Sequence, residues 1–398
     1  MMNFTAILIS TLAVTSLQAS SSNEEAFVAL KPIPLKRESL GRYGSGELFS
    51  AKNWSLLKPG VLNGVVFIQP SRNEGLGPRT EEFFDRAFLR FSPRPDAAVG
   101  VSQPLIERGL PVVGKAGDRY QVGLNVRGES NAALVQVGLL AANGDPVVWS
   151  ESITPGAARR YFVDLEIPAD RGAGEPLLLA IQAVSKDEGE SQPAEVDQVS
   201  IARITTDGDA FTSLFNGKDL AGWTGGLNGY GVEDGAIRTY PKRAGGNIYT
   251  EDPYEDFVFR FRFKLEPGSN NGIAIRAPLS GDAAYQGMEV QVLENAHPKY
   301  AGLKPWQFHG SIYGVAPAMR GYQRPAGEWN DEEIRVEGRN LRVTLNGKVI
   351  LDVDLDEAIK DGTPSGQEHP GTRNTSGHIG FCGHGDVVRF KDLRIQEL

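Results

Sequence analysis

The fold of the C-terminal half is indicated most clearly by residues 333–353, EIRVEGRNLRVTLNGKVILDV. Apolar and polar side chains alternate through three runs inside this stretch, as in strands that bury one face. Asn346-Gly347 separates the last two runs and is a strong hairpin signal, because both central positions of a type I′ turn need positive φ. The stretch therefore predicts an antiparallel sheet.

Similar strand-like runs, separated by Gly, Asn and Pro, fill the rest of this half. They lie at residues 257–265, 272–276, 288–293, 378–381 and 387–395. One antiparallel two-sheet sandwich over 206–398 accounts for all of them.

The first half has its own strand pattern. Apolar residues alternate through 120–126, and two apolar runs flank an Asn-Gly-Asp turn at 143–145, as in a hairpin. Further runs follow at 161–167, 177–184 and 196–204. The sequence thus predicts an all-β protein of two β-sandwich domains, with an accessory sandwich over 48–205.

The N-terminal residues and the overall charge restrict location and partners. Residues 1–22 are uncharged and hold an apolar run too short to span a bilayer, which predicts an export signal and a periplasmic or secreted protein without a membrane span. Residues 23–47, with several prolines, are predicted to be a linker. The net charge of -9 leaves no basic patch for nucleic acid. Cys382 is the single cysteine, which excludes an intrachain disulfide.

Several short motifs of the C-terminal half occur in an order typical of one family. They are LFNGKDL at 214–220 followed by Gly222-Trp223, PGSNNGI at 267–273, EVQVLE at 289–294, GSIYG at 310–314, GEWN at 327–330, GHIG at 377–380 and HG at 384–385. Together they resemble the 3-keto-disaccharide hydrolase family over 211–398. The resemblance implies a concanavalin-like lectin/glucanase jelly roll with its sugar site on the concave sheet, and chemistry on 3-oxo-glycosides.

Histidines are the first candidates for acid-base chemistry. All five lie between His297 and His384, and imidazole titrates near neutrality. We favour His309 and His384 as the base, because each lies in a motif of the family type beside a glycine that lets a ligand approach.

Carboxylates on the 288–293 strand are the second candidates. Glu289 and Gln291 are two positions apart and should share a face, whereas Glu294 falls on the other face unless a bulge intervenes. Similar glucanases have an Asp where this chain has Gln291, and an amide cannot share a proton with a neighbouring carboxyl. The substitution therefore disfavours ordinary retaining hydrolysis.

Elimination beside a ketone needs a different set of groups. A base removes the hydrogen on carbon 2 of a 3-oxo sugar, an acid protonates the departing oxygen, and water then adds to the enone. We assign Glu289 as the acid or a metal ligand and Arg276 as the group that stabilises the enolate. Glu294 and Gln291 are candidate substrate-binding residues.

Aromatic side chains could supply flat faces for sugar rings. Trp306 and Tyr313 lie in a long Gly/Pro-rich connection, 297–322, that we expect to cover the site. A divalent metal held by Glu289, Glu294 and histidines is one option for a cofactor, but no His-Glu-x-x-His spacing supports it. A conventional glycoside hydrolase and a carbohydrate-binding, lectin-like module are the alternative functions.

Overall fold

The computed structural model describes residues 28–33, 54–57, 65–68, 88–95, 97–108, 110–171, 174–186, 191–206, 210–240 and 245–398. The predicted export signal at 1–22 lies outside these ranges. Within them, no helix is long and apolar enough to cross a membrane.

The N-terminal domain is built from short antiparallel strands. In chain order they are β1 (Val28–Ile33), β2 (Ser55–Leu56), β3 (Val65–Ile68), β4 (Phe88–Phe91), β5 (Val99–Pro104), β6 (Ile106–Glu107), β7 (Leu110–Pro111), β8 (Arg119–Gly128), β9 (Leu134–Ala141), β10 (Pro146–Trp149), β11 (Arg159–Glu166), β12 (Leu177–Val184) and β13 (Ala194–Thr206). One sheet has the order β11-β8-β13-β4-β3 with β1 beside β13, and the other has the order β10-β9-β12-β5-β2. Alternate side chains of both sheets fill one apolar core.

The linker prediction for 23–47 is wrong at β1. Val28–Ile33 pairs antiparallel with the end of β13, and Ala29 and Ile33 are buried. Pro32 suggested a linker, but a proline is tolerated in a strand that pairs on one side only. The remainder of 23–47 lies outside the described residues.

The C-terminal domain continues the strand numbering. Its strands are β14 (Thr212–Ser213), β15 (Trp223–Gly225), β16 (Tyr230–Glu233), β17 (Ala236–Thr239), β18 (Ile248–Thr250), β19 (Phe257–Leu265), β20 (Asn270–Ala277), β21 (Met288–Leu293), β22 (Trp329–Glu337), β23 (Asn340–Leu345), β24 (Lys348–Asp354), β25 (His378–Phe381) and β26 (Val388–Glu397). Two short helices are α1 (Ala283–Gln286) and α2 (Leu355–Ile359). Single 3-10 turns lie at Leu227–Gly229, Pro298–Tyr300, Pro305–Gln307 and Pro370–Arg373.

These strands form two facing antiparallel sheets. The larger has the order β16-β17-β26-β19-β22-β23-β24 with β14 beside β26, and the smaller has the order β15-β18-β25-β20-β21. Strand β19 (FVFRFRFKL) buries a phenylalanine at every second position because its alternation matches the pleat. Across the core, Phe381 of β25 stacks on Phe390 of β26 with ring centroids 4.0 Å apart.

The predicted hairpin is present. Asn346 and Gly347 have φ values of 48° and 74° and join β23 to β24. The prediction of an all-β protein with two β-sandwich domains is confirmed by this architecture.

The smaller C-terminal sheet provides the frame for a site. In β21, Val290 and Val292 point into the core, so Glu289 and Gln291 lie on the face turned away from it. The register pairs Glu289 with Ala274 and Gln291 with Gly272 of β20. Small residues on β20 therefore leave room beside two polar side chains on β21.

Candidate active site

Glu289 is held in a closely fitting recess on this face. Glu289 is 4% exposed, and a Cβ atom added at position 272 would collide with its carboxylate. Gly272 therefore makes room for the Glu289 side chain, which a larger residue on β20 would displace.

Gly272→Ala tests this packing without removing any chemical group. We expect kcat to fall by at least about tenfold, because a small misplacement of a reacting group is costly. The matched control is Gly156→Ala, where an added Cβ meets nothing within 4 Å and activity should not change. Steady-state kinetics on both variants makes the measurement, and an unchanged kcat in Gly272→Ala would contradict it.

His384 approaches the Glu289 carboxylate from the loop that follows β25. Its Nε2 lies 3.1 Å from Glu289 Oε1, and its side chain is 40% exposed whereas that of Glu289 is 5% exposed. The hydrogen bond with Glu289, together with the negative charge of that residue, raises the pKa of His384 against the opposing effect of burial. An accessible imidazole is thus oriented by a buried carboxylate, an arrangement suited to proton transfer.

The 310–313 segment adds to the β21 edge beside this pair. Gly310 N donates to Gln291 O at 2.8 Å, and Tyr313 N donates to Glu289 O at 2.9 Å. The Trp306 ring meets the Tyr313 ring edge-on with centroids 5.1 Å apart, and both side chains are half-buried. These contacts form an aromatic corner close to Glu289.

Gln291 is fixed by its own neighbour, because its Nε2 donates to Asn270 Oδ1 at 3.0 Å. The structure therefore brings together five of the residues singled out in the sequence, namely Glu289, Gln291, His384, Trp306 and Tyr313.

His309 is not part of this group, and its assignment as a base is corrected. It is 1% exposed, and its Nε2 lies 3.3 Å from Glu332 Oε2 inside the sandwich. Its ring centroid is 5.0 Å from that of Phe263, a core residue of β19. A substrate on the outer face of β21 cannot reach a side chain buried between the sheets.

Arg276 is also corrected. It lies in a bulge of β20 with φ 46°, and its side chain is 1% exposed. Its guanidinium donates to Glu255 O, Gly338 O and Asn374 O and pairs with Asp256 Oδ1 at 2.7 Å. Because its hydrogen-bond donors are used by these loops, Arg276 stabilises the end of the sheet and is not available to an enolate.

Glu294 hydrogen-bonds to the backbone of a neighbouring turn. Its Oε2 accepts a hydrogen bond from Gly268 N at 3.0 Å and so ties the end of β21 to the turn after β19. Among the residues that the structure describes, no group of three or more His, Cys, Asp or Glu side chains is placed to hold a metal ion.

Two tyrosines near Glu289 were missed in the sequence. Burial raises the pKa of Tyr249, whose hydroxyl accepts a 2.9 Å hydrogen bond from Asn247 Nδ2. Burial likewise raises the pKa of Tyr285, which stacks on His369 with centroids 4.6 Å apart. The negative charge of Glu289 adds to both shifts, so both hydroxyls lie within its electrostatic reach. Tyr285 could have been suspected because α1 leads directly into β21.

The structure thus places a histidine–carboxylate pair on the outer face of a β-sandwich sheet. Residues 210–396 match the family described as a 3-keto-alpha-glucoside-1,2-lyase-like domain. The resemblance predicted from the motifs is confirmed over this segment, which matches the model of that family. The match does not include the N-terminal sandwich.

One curated relative and several solved structures are similar to about half of this chain. A 3-keto-disaccharide hydrolase of Bacteroides thetaiotaomicron is 27% identical over 248 residues, which is 52% of this chain and 83% of the relative. Two Parabacteroides distasonis proteins named as glycosyl hydrolases have solved structures that are 28% and 25% identical. They cover 47% and 48% of this chain and 99% and 94% of their own, with TM-scores of 0.42 and 0.40.

Proposed function

We propose that the C-terminal domain cleaves 3-oxo-glycosides by elimination followed by hydration, with His384 as the base and Glu289 as its partner. The observation that carries this proposal is the accessible imidazole hydrogen-bonded to a buried carboxylate. The family description and the name of the Bacteroides relative support a substrate of this class.

The chemistry follows from the ketone at carbon 3. The ketone acidifies the hydrogen on carbon 2, and His384 accepts that proton while the electron pair of the C2–H bond forms the C1=C2 bond. The C1–O bond breaks, and the departing oxygen takes a proton to leave as an alcohol. Water then adds across C1=C2, with hydroxyl on carbon 1 and hydrogen on carbon 2, so that the net reaction is hydrolysis.

Glu289 makes the imidazole a better base in this scheme. When Nε2–H of His384 donates to Glu289, the lone pair is on Nδ1, and the carboxylate stabilises the imidazolium that forms. A separate acid is not needed, because the imidazolium can pass its proton to the departing oxygen.

Two-carboxylate hydrolysis is less well supported by this site. Retaining enzymes need two carboxyls about 5 to 5.5 Å apart, and here the neighbour of Glu289 on its face is the amide Gln291. Asp282 is a nearby carboxylate, but its Oδ1 caps α1 by accepting from Ala284 N at 3.0 Å. Glu294 is bonded to Gly268 N.

The test is to incubate the full-length protein with a 3-oxo-glucoside and with its unoxidised parent. Cleavage of the oxidised sugar alone supports elimination, and in D₂O the product should acquire deuterium at carbon 2 faster than in an enzyme-free control. Cleavage of both sugars would indicate conventional hydrolysis. Saturable binding without turnover would instead indicate a carbohydrate-binding module.

We also propose that the protein is exported to the periplasm or secreted, on the strength of the uncharged, apolar residues 1–22. Sequencing the N-terminus of protein recovered outside the cytoplasm should then begin near residue 23. Recovery of the unprocessed chain in the cytoplasm alone would contradict export.

A further inference from the structure

An arginine from the N-terminal domain is buried against the C-terminal domain. Arg160 of β11 is 1% exposed, and its Nη1 donates to Gly321 O at 3.4 Å. Its guanidinium carbon lies 4.7 Å from the centre of the Tyr322 ring. The same side chain therefore contacts two consecutive residues of the other domain.

Within its own domain Arg160 donates hydrogen bonds from both of its terminal nitrogens, whereas its buried Nε has no hydrogen-bond partner among the described residues. Its Nη1 also donates to Asn125 Oδ1 at 3.1 Å and to Gln198 O at 2.8 Å, and Nη2 donates to Ser200 Oγ. Burial lowers the pKa of Arg160 to about 10, so it remains charged at neutral pH. A buried charge is costly unless hydrogen bonds compensate for its lost hydration, and the bonds from Nη1 and Nη2 fix the guanidinium in one place.

A second arginine, Arg324 of the C-terminal domain, contacts the N-terminal domain. The guanidinium carbon of Arg324 lies 3.8 Å from the centre of the Phe162 ring, two residues beyond Arg160 on β11. Arg324 Nη2 also donates to Gln121 Oε1 of β8 at 3.2 Å. Both ends of the segment 321–324 therefore contact the N-terminal domain. We call Arg160 and Arg324 the arginine clamp.

Gln323, between the clamped residues, connects them to the site. Its Nε2 donates to Leu293 O at 2.7 Å, at the end of β21, and its Oε1 accepts from Asn295 N at 3.1 Å. Asn295 Oδ1 in turn accepts from His309 N at 2.9 Å. The next residue, Gly310, is the one that donates to Gln291 O.

We propose that the N-terminal domain acts, through the arginine clamp, as a positioning device for residues 294–323, which carry the aromatic corner of the active site. This inference rests on the proposed function for its effect on catalysis. Arg160 and Arg324 are then positioning residues, because they act through Gln323 and Asn295 and do not touch the reacting atoms. A merely tethered accessory domain would need no buried arginine at this contact.

The adjacent Arg159 supplies a matched control. It also crosses between the domains, to Glu328 Oε1 at 3.3 Å, but both side chains are more than 40% exposed. An exposed ion pair contributes little to stability. Arg159→Ala should therefore leave both the loop and the activity unchanged.

The test measures amide hydrogen exchange and kinetics on the full-length protein. In Arg160→Ala we expect faster exchange over 294–313 than in the parent, because the segment opens locally more often. We expect kcat/KM for the 3-oxo-glucoside to fall by about tenfold or more, mainly through KM, since the aromatic corner is displaced. The pH dependence of kcat should be unchanged, because the His384–Glu289 pair is untouched.

Arg160→Ala also removes the hydrogen bonds that Arg160 makes inside its own domain, so a second variant is needed to separate that effect. Phe162→Ala keeps those bonds and removes the ring that packs against both Arg160 and Arg324, so it should loosen the same segment. Unchanged exchange over 294–313 in both variants would overturn the clamp, as would looser exchange with unaltered kinetics. Hydrogen exchange is measured without substrate. The exchange result can therefore be interpreted even if the protein does not cleave the 3-oxo-glucoside.

Discussion

Glu289→Gln is expected to lower kcat for a 3-oxo-glycoside by about 10²- to 10⁴-fold, the contribution typical of a positioned proton-transfer system. Glutamine has nearly the shape of glutamate and still fits beside Gly272, so the sheet should remain intact. The amide cannot supply the negative charge that stabilises the imidazolium of His384. Steady-state kinetics, with circular dichroism to confirm folding, makes the measurement.

The same variant should move the pH profile in a defined direction. Glu289 raises the pKa of His384, so removing its charge lowers that pKa. If neutral imidazole is the base, the acid limb of kcat/KM shifts to lower pH while the plateau falls. A limb that stays in place would mean that the group titrating in the profile is not His384.

Glu294→Gln is the control for this substitution, because it makes the same chemical change five residues along the chain. The amide oxygen can still accept the hydrogen bond from Gly268 N, so kcat should stay within about twofold of the parent. Full activity in Glu289→Gln, or an equal loss in Glu294→Gln, would remove Glu289 from the mechanism.

The strands of the C-terminal domain, and the side chains that share a face, could be predicted because they depend on local periodicity. Alternation alone places Glu289 and Gln291 together on β21 and puts Glu294 elsewhere. The Asn346-Gly347 hairpin was equally local, because the residues that adopt positive φ are named in the sequence.

The misassigned residues depend on contacts that are distant in sequence. His309 points inward because the next residues pair with β21, and no local pattern reveals that pairing. One signal was available, since Glu332 has the same phase on β22 as the buried Ile334. A carboxylate at a core position indicates that a polar partner must be buried with it.

Arg276 was misassigned for a different reason. Continued alternation would have let its side chain project from the strand, but a bulge between Ala274 and Ala277 gives it positive φ and turns it toward the loops at Glu255 and Asn374. Bulges are set by the pairing of two strands, so β20 alone could not disclose it.

His384→Ala is expected to reduce kcat/KM by a similar factor, about 10²- to 10⁴-fold, because it removes the proposed base itself. In the parent protein kcat/KM should rise with pH through the pKa of His384, which lies above its ordinary value of 6.5. That limb should disappear in the variant. Because the side chain is 40% exposed, added imidazole can reach the vacated position and should restore part of the activity.

The stability of the parent and of His384→Ala should differ in a pH-dependent way. A histidine whose pKa is raised in the folded state stabilises the fold below pH 6.5, and this stabilisation is lost as the pH rises through the raised pKa. Urea unfolding should therefore separate the two proteins more at acidic than at alkaline pH. The converse pattern would contradict a protonated imidazole paired with Glu289.

His378→Ala is the matched control for the loss of His384. His378 lies on β25 of the same sheet, where its Nδ1 is 2.8 Å from Thr250 O, and it has no contact with the Glu289 carboxylate among those the structure describes. We expect it to retain the acid limb and to gain nothing from added imidazole. If His378→Ala loses the limb and His384→Ala keeps it, the base is His378 and the assignment to His384 is wrong.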